Sequence, residues 1–351
     1  MQNFHQISLQ ELALWCESQG EKPFRAKQIL EWVYKKKILH FEEMTNLSLS
    51  LRKSLFESFC LQSIFLEKTE ESKDLQTTKF LWKLADQKLV ESVLICAPGR
   101  RTVCVSSQVG CPARCAFCAS GKEGLLRNLT REEIFEQVYL IDRFLVSQGE
   151  KVSHVVYMGM GEPLENYEAV VGSIKEICSP LKMHLSERRI TVSTVGVIEG
   201  IQKLATEEIQ VNLVLSLHAP NQHIRKKIIP YARKYELTDV LNAMRMYSKE
   251  TKRNITYEYT LLSGINDEQE HAEELADLVA NDPCTVNLIP YNPVEGLRLQ
   301  RPEKESIENF KEILEKKGIV TTWRYTKGKD IAAACGQLAL KKQPSLAIFA
   351  E

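Results

Sequence analysis

At 351 residues the chain can bury a large core, and its 46 Lys plus Arg balance 46 Asp plus Glu, so no bulk charge draws it to an anionic partner. The opening MQNFHQISLQELALW lacks the basic-then-apolar layout of an export signal, and no apolar run approaches the roughly 18 residues of a membrane span. This argues against a disordered or membrane-spanning chain and predicts a cytoplasmic one, whose ten cysteines would stay thiols serving as fillers, ligands or catalysts.

Residues 1 to about 75 carry helical apolar spacing in LQELALWCES, AKQILEWVYKK and LSLRKSLFESF, which predicts a small N-terminal helical domain. KTEESKDLQTT is charged and apolar-poor, and KFLWKLADQKLVESVLICA with RTVCVSSQV then predicts strands joined by turns. Thr130 followed by Glu133 forms a capping-box pattern at the head of TREEIFEQVYLIDRFL. Further on, the β-rich runs VSHVVYMGM, RITVSTVG, VNLVLSLHA, NITYEYTLL, TVNLIPYNP and VTTWRYT alternate with amphipathic helical segments. Repeated β–α alternation predicts an α/β fold with a parallel sheet closed wholly or partly into a barrel, with its site at the strand C-terminal ends. Gly161, Glu162, Ser193, Ser216, His218 and Asn292 all fall at or just past such ends.

The sharpest local signal is Cys111-Pro-Ala-Arg-Cys115-Ala-Phe-Cys118, a CxxxCxxC run in the loop after a strand. Zinc prefers four ligands and no second cysteine pair stands near. A cubane iron–sulfur cluster held by three cysteines instead leaves one iron open to a chelating substrate.

That spacing, with an aromatic before the last cysteine, is similar to the radical S-adenosylmethionine (SAM) signature. VCVSSQVGCPARCAFCASG, YMGMGEPLENY, TVSTVG, LSLHAP, NLIPYNP and DIAAACGQL, in this order, resemble the RlmN/Cfr family of radical SAM RNA methyltransferases, RlmN more closely. FRAKQILEWVYKK resembles that family's accessory domain. The resemblance implies a radical SAM partial (βα)6 barrel over 76–345, core 97–328, behind a helical accessory domain over 1–75.

It also implies a [4Fe-4S] cluster on Cys111, Cys115 and Cys118, and SAM contacts from Gly161, Glu162, Ser193, Ser216, Leu217, His218 and Asn292. Cys335 would carry the methyl group, Cys104 would release the RNA adduct through a transient disulfide, and Glu91 would accept the proton. Read without the resemblance, Cys104 and Cys335 are core thiols and Glu91 a solvent-facing strand carboxylate. The implied reaction is methylation of adenine carbon 2, at adenine 2503 of 23S ribosomal RNA and adenine 37 of transfer RNAs. It would consume two SAM molecules and draw on flavodoxin or ferredoxin as electron donor, with the protein a monomer. Two rivals stay open: Cfr-type methylation at carbon 8, and a zinc-binding RNA-binding protein without catalysis. One departure stands out, since Ala332 occupies a position where the family commonly has an acidic residue. Arg100, Arg101, Lys122, Arg127, Arg188, Arg189, Arg225 to Lys227, Lys327 and Lys329 are candidate RNA contacts.

Overall fold

Short runs rich in Val, Ile, Thr and Tyr assemble into one ten-stranded sheet in a computed structural model that describes residues 1–324 and 327–339. The strands are β1 (Ile64–Glu71), β2 (Thr77–Leu84), β3 (Leu89–Ala97), β4 (Arg100–Cys104), β5 (His154–Tyr157), β6 (Ile190–Thr194), β7 (Asn212–Ser216), β8 (Ile255–Leu261), β9 (Cys284–Pro290) and β10 (Val320–Trp323). They lie side by side in sequence order. β1 to β4 pair antiparallel, and β4 to β10 pair parallel throughout.

The parallel strands need crossovers, supplied by α4 (Arg131–Val146), α5 (Tyr167–Cys178), α6 (Ile198–Thr206), α7 (Gln222–Ile228) with α8 (Leu237–Thr251), α9 (Gln269–Val279) and α10 (Lys304–Lys316). Six β–α steps thus give the expected (βα)6 arrangement, and no pairing joins β1 to β10 among the described residues, so the sheet stays open. The parallel strands have apolar runs buried on both faces, as crossover helices require.

α4 starts where the sequence signals it. Thr130 Oγ1 accepts from Glu133 N at 3.2 Å and Glu133 returns the bond to Thr130 N at 2.9 Å, a cap that contributes about 1 kcal/mol. The helix then buries Ile134, Phe135, Val138, Ile141 and Leu145 in the main core.

Residues before the sheet form α1 (Leu9–Ser18), α2 (Arg25–Leu30) and α3 (Leu49–Ser58), as the apolar spacing predicts. They share one continuous core with the sheet domain, from Phe4 and Leu12 through to Phe135. Polar ties reinforce this: Tyr139 Oη donates to Val33 O at 2.7 Å, and a buried ion pair joins Lys37 to Asp142 at 2.7 Å.

One expectation needs correction. The helical reading of 1–75 fails at Ile64–Glu71, which is an edge strand paired to β2. Of this strand only Ile64 is buried, so it lacks the apolar alternation by which strands are read. Tyr325 and Thr326 of the expected strand VTTWRYT, and the expected domain end at 345, lie outside the described residues. Among the described residues no helix is long and apolar enough to cross a membrane.

Candidate active site

The loop after β4 carries Cys111, Cys115 and Cys118 over the C-terminal ends of the parallel strands. All three line a cavity of about 800 Å³ together with Gly161, Glu162, Ser193, Ser216, His218, Asn292 and Cys335. The loop is held by Ala116 N donating to Ile228 O at 2.8 Å and Ala119 N donating to Gly336 O at 2.8 Å.

Burial pushes all three thiols up, Cys111 to about 12, and each neighbouring sulfur adds to the effect on Cys115. Thiolates there need a cationic partner. Backbone N–H groups of Ala113 and Arg114 point at Cys111, and those of Ser120 and Gly121 at Cys118, as donors that stabilise sulfur charge. No group of three or more His, Cys, Asp or Glu among the described residues is gathered tightly enough for one metal ion. Three mutually interacting sulfurs around one cavity suit a cluster several atoms wide better than a tetrahedral zinc.

Opposite the cysteines, Gly161 has φ +113°, and a Cβ there would stand 2.6 Å from Ser107 Oγ and 2.8 Å from Gln108 N, so only glycine fits. Glu162 is buried, with Oε1 accepting from Leu164 N at 3.0 Å and Oε2 from Val195 N at 2.8 Å. Burial pushes its carboxyl up to about 7 while those amides hold it down. The glutamate therefore braces the loop as well as facing the cavity. Ser193 and Ser216 end adjacent strands with their hydroxyls 3.1 Å apart.

His218 has a left-handed backbone, φ 56°, which costs a non-glycine residue about 1 kcal/mol or more and marks functional turns. Its Nδ1 accepts from Thr260 N at 2.9 Å, leaving Nε2 to carry the proton, and its ring meets Phe117 edge to face. Burial and the nearby Arg225 push it down to about 3, so it is neutral. Leu217 differs from its neighbours: its side chain is in the main core, its N–H donates to Glu258 O and its C=O accepts from Arg225. It is not brought to the cavity.

Cys335 stands in the wall between this cavity and a second one of about 1050 Å³, lined by Arg100, Thr102, Arg324 and Lys327 among others. Asn292 faces both and donates from Nδ2 to Cys335 O at 3.2 Å. Cys104, half-buried at the end of β4, and Cys335, exposed where the two cavities meet, both feel the Arg324 guanidinium, which pulls their thiols down against the desolvation that pushes them up. Burial works against Arg324, yet Cys335, Glu258 and Cys104 outweigh it and hold its charge. Glu258 is buried 3.4 Å from Arg324. All ten cysteines are free thiols.

Glu91 lines neither cavity. It is buried on β3 rather than solvent-facing, its Oε1 3.3 Å from Lys79 Nζ and its Oε2 accepting from Ala339 N at 2.9 Å. Burial pushes its carboxyl up. Arg324, Glu258, Thr260 and Tyr291 escaped the sequence reading. Arg324 alone left a trace, as a cation between a strand end and Cys335. Of the basic candidates, Arg100 and Lys327 reach the second cavity, whereas Arg225 is wholly buried and cannot touch RNA.

A three-cysteine loop on an open (βα)6 sheet, facing a Gly-Glu turn and polar strand ends, defines a radical SAM enzyme. Residues 105–278 match the Radical SAM superfamily, and residues 2–61 match the Ribosomal RNA large subunit methyltransferase N-terminal domain. The chain is 61% identical over 95% of its length, and 93% of the other's, to the probable dual-specificity RNA methyltransferase RlmN 2 of Protochlamydia amoebophila. It is 45% identical over 98% of its length, and 99% of the other's, to the probable dual-specificity RNA methyltransferase RlmN of Thermotoga neapolitana. A crystal structure of a radical SAM methyltransferase from Sphaerobacter thermophilus superposes with a TM-score of 0.93 at 40% identity, covering 96% of this chain and 99% of that one. The chain belongs to the RlmN family of radical SAM methyltransferases. Its cofactors are a [4Fe-4S] cluster and SAM, and the zinc-protein alternative is set aside.

Proposed function

We propose that the chain methylates carbon 2 of adenine in ribosomal and transfer RNA, with Cys335 as methyl carrier, Cys104 as resolving thiol and Glu91 as proton acceptor. The observation that carries this reading is the position of Cys335 in a wall shared by two cavities, one holding the cluster cysteines and the other basic. The names of the relatives supply the substrate class.

Carbon 2 of adenine is electron-poor and cannot attack a methyl sulfonium, so a carrier is needed. Cys335, as thiolate, attacks the methyl carbon of one SAM, forming a thioether as S-adenosylhomocysteine leaves with the electron pair of the broken S–C bond; Arg324 favours that thiolate electrostatically. Held by Cys111, Cys115 and Cys118, the cluster would supply one-electron reduction of a second SAM, so that a hydrogen atom leaves the Cys335 methyl carbon as 5′-deoxyadenosine, that carbon bonds to adenine, and the one electron left over from the adduct would return to the cluster. Cys335 then ties protein to RNA, with Arg100 and Lys327 in the adjoining cavity suited to phosphate.

Glu91 takes the proton from carbon 2. A carboxyl raised by burial is a better base than an exposed one. To reach substrate, Glu91 must release the Ala339 N–H it now accepts. Cys104 finally attacks the Cys335 sulfur: a disulfide forms, the electron pair of the broken S–C bond stays with carbon, and protonation completes the methyl group. Reduction restores both thiols.

We further propose that the enzyme acts as a cytoplasmic monomer fed by flavodoxin or ferredoxin. We also propose that the accessory domain ends near residue 61 instead of 75, a reading supported by the N-terminal-domain match over residues 2–61 and by the strand that begins at Ile64.

Mass spectrometry of nucleosides from cells with and without the chain tests the reading. We expect 2-methyladenosine in both ribosomal and transfer RNA. Appearance of 8-methyladenosine would replace it with the carbon-8 activity, and no change in either nucleoside with an intact cluster would overturn it.

A further inference from the structure

Arg225 on α7 is 1% exposed, the most deeply buried cation of the site. Among the described residues its guanidinium donates only to main-chain carbonyls: Nε to Leu217 O at 3.2 Å, and Nη2 to Val195 O at 2.6 Å and Ser216 O at 3.2 Å. No carboxylate lies within 4.0 Å of it among the described residues, and Nη1 donates to none of them. A buried charge without a counter-charge costs several kcal/mol or more, and chains rarely keep one unless something anionic arrives.

The cluster loop is where that anion would be. Ala116 N donates to Ile228 O at 2.8 Å, binding the loop to the helix that carries Arg225. Phe117 and Ala113 share an apolar cluster with Ile224 and Ile228 of the same helix. Burial pushes the guanidinium down to about 10, and the group whose negative charge would support it is Cys115, one of the three cluster cysteines. An iron–sulfur cube held by three thiolates is a net anion and becomes more so on reduction.

We propose that Arg225 is the buried counter-charge of the cluster, a positioning residue that makes the cluster easier to reduce and couples its occupancy to the stability of the strand ends at Val195 and Ser216. The inference rests on the cluster reading. The competing role is purely mechanical, three carbonyls stitched by a guanidinium.

The test compares wild type, Arg225→Met and Arg225→Lys, reconstituted anaerobically. Iron content is measured first: a wild type that takes up no iron would remove the cluster reading itself, separately from this inference. The midpoint potential is then read by redox titration without SAM. In Arg225→Met the reduction equilibrium falls at least about tenfold, roughly 59 mV more negative for one electron, while Arg225→Lys stays within about threefold of wild type. Arg225→Met also gains less in melting temperature on reconstitution than wild type, because the arriving cluster no longer meets a buried cation. Cluster loss in Arg225→Met that Arg225→Lys restores also supports the inference. An unchanged potential with full iron overturns it, as does a shift seen only with SAM bound, or cluster loss in both variants.

Discussion

Glu136 on α4 ties the catalytic domain to Asn3 of the N-terminal unit and to the junction at Ser63 and Ile64 where β1 begins, and its replacement by Gln yields a calculable loss. The carboxylate is buried and accepts four bonds: Oε1 from Asn3 Nδ2 at 2.6 Å and Ser63 Oγ at 2.9 Å, Oε2 from Ser63 N at 2.6 Å and Ile64 N at 3.0 Å. Glutamine keeps one acceptor oxygen. Its cheapest placement sets that oxygen on the two backbone N–H groups and its NH₂ towards Ser63 and Asn3. Ser63 can rotate to accept, but Asn3 cannot turn its oxygen over without giving up its cap on His5 N at 2.8 Å. One buried donor is left unsatisfied, at about 1–3 kcal/mol, and two charge-assisted bonds become neutral, at roughly 0.5–1 kcal/mol each. The expected loss is therefore about 2–5 kcal/mol, and Glu136→Ala loses more. Urea unfolding of the iron-free protein, with limited proteolysis around residues 59–63, measures it. A Glu136→Gln midpoint equivalent to a loss under about 0.5 kcal/mol, with no new cleavage, would refute the argument that this carboxylate holds the two parts together.

Gly161→Ala sets a methyl group 2.6–2.8 Å from Ser107 and Gln108, so the turn must shift, and SAM binding to reconstituted protein, followed by calorimetry, weakens at least about tenfold. Wild-type affinity in that variant would show that the turn does not shape the SAM site. Asn292→Ala removes the bond to the Cys335 carbonyl, worth about 0.5–1.5 kcal/mol, and should slow S-methylation of Cys335 severalfold in intact-protein mass spectra; an unchanged rate denies Asn292 a positioning role. His5 is pushed down to about 3 by burial and by Lys182, with its ring among Tyr34, Phe135 and Tyr139. Its folded form is neutral, so its contribution is present above the ordinary value near 6.5 and is lost as pH falls towards 3, at up to about 1.4 kcal/mol per pH unit. Urea midpoints between pH 7.5 and 5 should slope less in His5→Phe, and equal slopes would rule out His5 as the source.

What the sequence determines here is what depends on near neighbours in the chain. Helix starts such as Thr130 with Glu133 and the alternation of β runs with amphipathic helices are local, and so is the CxxxCxxC spacing. Each could be read directly. The edge strand Ile64–Glu71 could not, because a strand with a single buried residue leaves no pattern and exists only by pairing with β2. The same holds for the polar heart of the site. Arg324 becomes significant only because β10 ends beside β9, which brings it to Glu258 on β8 and to both Cys104 and Cys335. Leu217 sits one residue from His218, yet the chain turns it inward while the left-handed histidine faces the cysteines. Arg225, a surface cation by sequence pattern, is buried because three strand-end carbonyls converge on it. Charge and hydrogen-bond partners separated by tens or hundreds of residues are set by the packing of the sheet, which no local pattern encodes.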